Sequence, residues 1–458
     1  MDLGVIYFAA FVGLLAAVYL VRPNYLFSLW VILLFVFPTT RTYLGPAPVY
    51  WFDVATMIVC AMILSRPASI WPAGGIKWHW WFISYAFIFG LLIPSLRYSP
   101  TAESIYVWGH TSLAWMAFPI GVNIAYNIHY GSYRQIVIYS LMSVLTCLAL
   151  LAVFQKGDGA SALAVNEFYR GDMDGMWTES AYGIERYSHR PNGPYGAATT
   201  FAGVAMIVGL IVAVLNGSRR TWIIWLAAGL IAAVTLLTLT RHVLVAAVAG
   251  LCVAVLSSRA KNKAKLLFVG GVFAAAAALA GVSLGWGERV ALTNGGVLSD
   301  ISIASRLVVG PLRLFQYLVS DPVSLITGVG LDVQKLAASG VDVGAAASGF
   351  VSNGFLLSLY YLGVGGLALM VSFWGWIYLS TKRMAANRGS VVRGLVVVAV
   401  AVVAADNYAF LEESAVAGLF LFAGCVAGES FAFKRPAKRY AILSPRRVAP
   451  PRIPLGVP

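Results

Sequence analysis

Apolar residues come in long runs along this chain, separated by short stretches rich in arginine, lysine, tryptophan and proline. Thirteen runs approach the length needed to cross about 30 Å of hydrocarbon as a helix. They lie near residues 3–21, 24–38, 52–64, 79–94, 111–127, 135–154, 195–215, 221–240, 242–257, 265–284, 353–379, 391–406 and 414–432. The pattern predicts an all-α polytopic membrane protein with twelve or thirteen transmembrane helices, the third of them short. From about Thr221 to Leu256 the run is nearly unbroken, yet Arg241 and His242 sit in its middle. An arginine at a helix centre costs roughly 2.5–3.5 kcal/mol on insertion scales. The run therefore reads either as one long broken helix or as two spans that meet at Arg241.

Composition agrees with this reading. The chain is 60% hydrophobic and 11% charged, with a mean hydropathy of +0.81, whereas a soluble domain is about one-quarter charged. A net charge of +14 is first accounted for by cytoplasmic loops in a membrane protein, so no nucleic-acid partner is expected. Cys60, Cys147, Cys252 and Cys425 each fall inside an apolar run without CxxC spacing, which argues against a disulfide framework or a zinc site. At the start, Asp2 precedes the first run and the first basic residue, Arg22, follows it. That order is the reverse of a cleavable signal peptide, and it predicts a retained first helix with its N-terminus outside.

With thirteen crossings from an outer N-terminus, twenty-one of the 32 basic residues fall on the inner side, including the groups Arg259 to Lys265 and Lys382 to Arg393. Of the 18 acidic residues only Glu429 lies near that side. Tryptophan clusters such as Lys77 to Trp81 mark span ends as interfacial anchors do, and His79 and His129 share those positions. Pro94 and Pro119 are expected to kink or end helices. Residues 434–458 form a basic, proline-rich tail expected to lie in the cytoplasm and to attract anionic lipid.

This divides the chain into N-terminal spans (1–154), a first outer loop (155–194), spans including the Arg241 junction (195–284), a large outer loop (285–352), C-terminal spans (353–433) and the tail. Loops beyond about 15 residues are usually functional or disordered, and the aromatic content of both outer loops favours function. The remaining basic residues are all on this side: Arg41, Arg97, Lys156, Arg170, Arg186, Arg190, Arg241, Arg289, Arg306, Arg313 and Lys335. Arginine offers a planar fork that grips phosphate in pairs of hydrogen bonds and stays charged. Arginines lining an outward cavity point to an anionic lipid substrate. The bland alternative for Arg241 is a side chain snorkelling from a helix end, and Arg41, Arg97, Arg170 and Lys335 read as solvated loop charges.

Within the large loop, residues 301–319 read as an amphipathic helix lying along the membrane, interrupted by Pro311, with Arg306 and Arg313 on one side of it. Gly328 and Gly330 in "LITGVGLD" permit a tight turn and close backbone approach.

Three features in order resemble the O-antigen polymerase and ligase superfamily. They are Arg190 in "HRPNGPYGAATTFAG" opening a span, "TLTR" at Thr238 to Arg241, and "SR…LRLF…DP…GVGLD" running into "SNGFLLSLYYLGVGGL". The resemblance covers roughly Arg186 to Leu379. It implies a GT-C-like glycosyltransferase that moves an oligosaccharide from an undecaprenyl diphosphate carrier to an acceptor sugar at the outer face of the bacterial inner membrane. Carried over by motif, Arg190, Arg241 and Arg306 would bind the diphosphate and stabilise charge on the leaving group, an electrostatic role of large catalytic weight. Arg289, Arg313, Asn353 and His189 complete the expected substrate-binding set. No metal or other cofactor is expected.

Ligases of this superfamily tend to carry a histidine just before the asparagine that opens the span after the large loop. Here that position is Ser352, which without a neighbouring base cannot easily accept a proton. The substitution favours a Wzy-type polymerase over a ligase and leaves the general base open among His189, Glu288, Asp332 and Asp342. A chain-length regulator and a flippase are the expected protein partners. A lipid-linked sugar flippase or polysaccharide exporter is the alternative from another class, against which stand the absence of internal repeats and of midplane acids in the 111–154 spans.

Overall fold

The structure, a computed structural model of the chain, describes residues 3–38, 40–44, 47–65, 79–98, 102–127, 131–157, 191, 193–195, 198–217, 220–238, 240–259, 261–281, 310–320, 322–330, 353–405 and 413–432. Helices occupy every apolar run. They are α1 (Leu3–Val21), α2 (Pro23–Val36), α3 (Trp51–Ser65), α4 (His79–Tyr98), α5 (Ala102–Trp115), α6 (Ala117–Asn127), α7 (Gly131–Gly157), α8 (Ala198–Asn216), α9 (Thr221–Leu237), α10 (Arg241–Ser257) and α11 (Lys263–Gly281). After them come α12 (Gly310–Ser320), α13 (Pro322–Thr327), α14 (Gly354–Ser380), α15 (Ala386–Ala405) and α16 (Glu413–Ala432). Five helices, α8, α14, α15 and the larger parts of α7 and α16, are long and apolar enough to cross a membrane, and shorter apolar helices pack beside them. The chain is accordingly a mostly helical protein of membrane type.

Three local departures from the apolar pattern have clear causes. The segment before α3 forms an antiparallel hairpin, β1 (Arg41–Leu44) with β2 (Ala47–Tyr50), where aromatic and β-branched residues replace the leucine-rich pattern. The run at 111–127 is two helices broken at Met116, and Pro119 falls in the first turn of α6, where a missing N–H has no helical partner to lose. Pro94 is carried inside α4. Pro311, expected to interrupt a helical stretch over 301–319, sits in the first turn of α12, which begins at Gly310. Residues 301–309 lie outside the described residues.

The core is held by close approach of small residues, the usual means of helix packing where lipid removes the hydrophobic drive between helices. On α6 and α16, a Cβ at Gly121 would strike the Leu421 carbonyl, and one at Gly428 would stand 2.6 Å from the Val122 carbonyl. Around them Phe87, Phe118, Phe373 and Phe420 form an aromatic cluster, with Phe373 and Phe420 stacked at 5.1 Å.

Hydrogen bonds fix how the helices run. Arg388 at the start of α15 donates to the Ala213 and Val214 carbonyls at the end of α8, and Ser390 donates to the Ser257 carbonyl at the end of α10. Those three termini share one end of the bundle. Arg220 also lies there, donating to the Tyr139 hydroxyl, as do Lys263, which donates to the Leu256 carbonyl at 2.8 Å, and the exposed Arg259, Lys261, Lys382 and Arg383. Cations at helix C-termini satisfy last-turn carbonyls and complement the helix dipole. At the opposite end stand the start of α8, the α9–α10 turn and the hairpin. Since α8 and α10 begin at the same end and α9 runs between them, the chain reverses fully at Thr238 to Thr240: the run from Thr221 is two helices.

Candidate functional site

The turn that presents Arg241 is built by two threonines. Helix α9 ends as the Thr238 N–H reaches the Val234 carbonyl at 2.9 Å, and the Thr240 N–H returns to the Thr235 carbonyl at 3.1 Å. Thr240 is extended (φ −97°, ψ 107°), so the helix stops there and restarts at Arg241. The Thr238 and Thr240 hydroxyls lie 2.9 Å apart, and both side chains are buried. Hydroxyls suit this position because a turn buried in protein must satisfy its own polar groups.

From this turn the Thr240 hydroxyl donates to the Ala198 carbonyl at 3.3 Å, which joins it to the first residue of α8. The preceding segment is locked in turn. Gly193, at φ +56°, donates its N–H to Gln155 Oε1 at 2.8 Å, and the Tyr195 hydroxyl donates to the Phe35 carbonyl at the end of α2. A Cβ at Gly193 would meet the Phe201 ring at 2.8 Å, so glycine is required there by conformation and by space. Two motifs distant in sequence, "TLTR" and the segment from Pro191 to Ala198, thus form one structural unit.

Three buried polar atoms near this unit have no hydrogen-bond partner among the described residues: Nη2 of Arg241, Oγ1 of Thr235 and Oγ1 of Thr200. Buried polar groups are nearly always paired. Here the carbonyl of Thr235 accepts from Thr240, Arg241 follows Thr240, and Thr200 lies two residues beyond Ala198. An arginine fork is the group best suited to hold an anion.

A cleft of ≈ 500 Å³ lies between α8, α9, α10 and α15, with Thr235 and, two residues after Arg241, Val243 in its lining. It exists because α9 and α10 part company after the turn, α9 packing on α7 and α8 while α10 packs on α15. Its walls are almost wholly apolar, running from Thr235 and Val243 near the turn to Ala254 and Val391. Along α10, Val243 to Ala254 spans about 17 Å at the helical rise. At its floor α10 and α15 cross closely, and a Cβ at Gly250 would stand 2.6 Å from the Gly394 carbonyl.

The third motif packs elsewhere on the same helix set. After α13, Val329 and Gly330 donate their N–H groups to the Tyr360 and Tyr361 carbonyls at 2.9 and 3.1 Å. Those carbonyls are available because α14 is broken at Gly363 (φ 69°, ψ −168°). Gly328 and Gly330 also have positive φ, and a Cβ at Gly363 would stand 2.7 Å from the Gly328 nitrogen. The glycine turn closes on protein backbone. Asn353 caps α14, its Oδ1 accepting from the Phe355 and Leu356 N–H groups at 2.9 and 3.3 Å. That is the ordinary work of an N-cap.

Of the expected site residues, Arg241 and Asn353 are placed. Arg313 lies on α12, with nothing described of its side chain. His189, Arg190, Arg289 and Arg306 fall outside the described residues, as do the candidate bases Glu288, Asp332 and Asp342. The sequence reading missed a titratable pair: His110 Nδ1 meets Asp53 Oδ2 at 2.7 Å, with the imidazole stacked 4.1 Å from the Tyr50 ring. Its members are 57 positions apart, and no local spacing announces them. The chain matches no protein-family model and no curated protein sequence.

Proposed function

We propose that the protein is a membrane glycosyltransferase that polymerises undecaprenyl-diphosphate-linked repeat units of an O-antigen, capsule or exopolysaccharide at the periplasmic face of the bacterial inner membrane. The observation that carries this reading is Arg241. It combines a buried guanidinium nitrogen that has no partner among the described residues with a place at the start of α10, two residues before Val243 in the lining of an apolar cleft. A lipid diphosphate has the matching parts: an anionic head for the arginine and a hydrocarbon tail for the cleft.

In this reading the bundle crosses the membrane thirteen times in GT-C-like fashion, with the basic end in the cytoplasm as the positive-inside rule requires. The acceptor hydroxyl of one lipid-linked unit attacks the anomeric carbon of the chain on another. The new glycosidic C–O bond forms as the bond to the diphosphate breaks, and the acceptor proton passes to a base. Undecaprenyl diphosphate leaves with the electron pair, its negative charge held by Arg241 together with Arg190 and Arg306 from the adjoining segments. Such preorganised charge stabilisation costs no reorganisation at the moment of reaction.

The test is direct. Purified protein in lipid bilayers is given lipid-linked repeat units alone, and in a second reaction a lipid A core acceptor as well. Polymer in the first reaction supports the polymerase; product only in the second makes the protein a ligase. No product in either, with lipid-linked units crossing the bilayer, makes it a transporter.

A further inference from the structure

At the basic end, far from Arg241, a second cavity opens between α10, α11 and the start of α15. Its volume is ≈ 720 Å³, and its walls include Leu251, Val255, Leu266 and Val391, with Ser258, Arg259 and Asn387 as its polar members. We propose that it holds an anionic phospholipid of the adjacent leaflet, with the phosphate against Arg259 and an acyl chain along the apolar wall. Nothing in the glycosyl-transfer reading assigns this site, and it does not depend on that reading.

Three observations lead there. First, the cavity is amphipathic in one direction: Arg259 and Asn387 are exposed at one side, while Leu251 and Ala254 continue into the cleft between α9, α10 and α15, whose lining they share. A free phosphate would use the arginine and leave the apolar wall wet; a diacyl lipid uses both. Second, the charge in the described lining has one sign. Lys261, Lys263 and Lys265 follow Arg259, Lys382 and Arg383 precede the start of α15, and no carboxylate is among the lining residues. Basic pockets between spans on the cytoplasmic side are where anionic head groups bind.

Third, three neighbouring basic groups are already engaged, and Arg259 is the basic residue in the lining. Lys263 donates to the Leu256 carbonyl, Arg393 Nε donates to the Thr381 hydroxyl at 3.1 Å, and Arg388 is committed to the end of α8. The Ser258 hydroxyl donates to the Val255 carbonyl at 2.7 Å, which fixes the last turn of α10 and the direction in which the chain presents Arg259. The walls are small where the helices converge, with Ala254 and Ala386 on facing helices, so an acyl chain fits between them without displacing a large side chain.

The experiment is native mass spectrometry of the full chain, delipidated in detergent and titrated with dioleoyl phosphatidylglycerol or dioleoyl phosphatidylcholine. The expected result is one phosphatidylglycerol retained in preference to phosphatidylcholine. Arg259→Gln should weaken it about fivefold, the usual effect of one interfacial cation, while a Lys261→Gln, Lys265→Gln control changes it less. Leu266→Trp, which fills the cavity from α11, should remove the retained lipid of either kind. Equal retention of both lipids by the unaltered protein overturns the head-group assignment. Unchanged preference in Arg259→Gln overturns the site, and displacement by millimolar inorganic phosphate overturns the commitment to a lipid.

Discussion

The Thr240 hydroxyl donates to the carbonyl of Ala198, 42 residues earlier in the chain, at 3.3 Å. Because Thr240 is the residue before Arg241, this bond sets where α10 begins relative to α8. Thr240→Val keeps the shape and removes the donor, and a lost neutral hydrogen bond costs about 1 kcal/mol. The expected outcome is a small fall in detergent melting temperature with a larger fall in polymer yield. An unchanged yield would show that Arg241 does not depend on this bond for its position.

Arg241 itself gives the sharpest contrast between stability and function. A buried donor without a partner is worth about 1–3 kcal/mol of lost stability, so Arg241→Met, which keeps the length and removes the charge, should leave melting unchanged or raise it. The same variant should lower polymerisation about 10²–10³-fold, the typical effect of losing one charge-stabilising donor. Arg241→Lys keeps the charge but loses the planar fork and should rescue only part of the rate. If Arg241→Met melts well below the parent protein, the guanidinium is a structural group.

Filling the cleft tests the lipid tail apart from the head. Ala247 lines it midway along α10, and Ala247→Phe places a ring where the tail is proposed to lie. Retention of added undecaprenyl diphosphate in native mass spectrometry should fall, with abundance in the membrane unchanged. Normal retention would separate the cleft from the donor site.

The glycine turn makes a prediction independent of any activity. Gly363 has φ 69°, a left-handed conformation that costs other residues roughly 1–2 kcal/mol, and its added Cβ would also strike the Ile326 carbonyl. Gly363→Ala should therefore lower stability by about 3 kcal/mol, read as loss of melting temperature and of membrane abundance. A neutral result would mean that α14 can straighten there.

The pair His110 and Asp53, whose side chains are only 10% and 11% exposed, predicts an asymmetric response. His110→Ala strands a carboxylate in a poorly solvated site and should cost about 2 kcal/mol. The double variant His110→Ala, Asp53→Ala should cost less than the sum of the two single changes, which a double-mutant cycle on thermal unfolding measures.

How much of this was legible in the sequence depends on the range of the interaction concerned. Apolar run length located the long spanning helices, because a span is a local property, but not the start of α5 or the short α13. The turn before Arg241 was also legible, since an arginine in mid-run forces a choice between two spans and a buried charge. The break at Met116 was not, because nothing in "TSLAWMAFPIG" separates one helix from two until Pro119 is known to lie in a first turn. The meeting of Gly328 with Gly363, and of Asp53 with His110, depends on how distant segments pack. Asn353 was assigned to substrate; that its Oδ1 caps α14 depends on where the helix starts, which the apolar run alone does not give. The cleft was hidden for a different reason: it is the divergence of α9 from α10 that leaves space beside small residues such as Gly209, Gly250 and Gly394.

The fastening of Gly330 to the Tyr361 carbonyl has a consequence for what can vary. The chain leaves α14 at that bond and returns to the same helix at Asn353, about 12 Å away along its axis. The described chain on either side of residues 331–352 is therefore held on one helix. Lengthening a flexible connection between two such fixed points costs only about 0.6 kcal/mol per doubling. Substitutions and insertions between positions 331 and 352 can therefore accumulate while the anchors at Gly330 and Asn353 stay as they are.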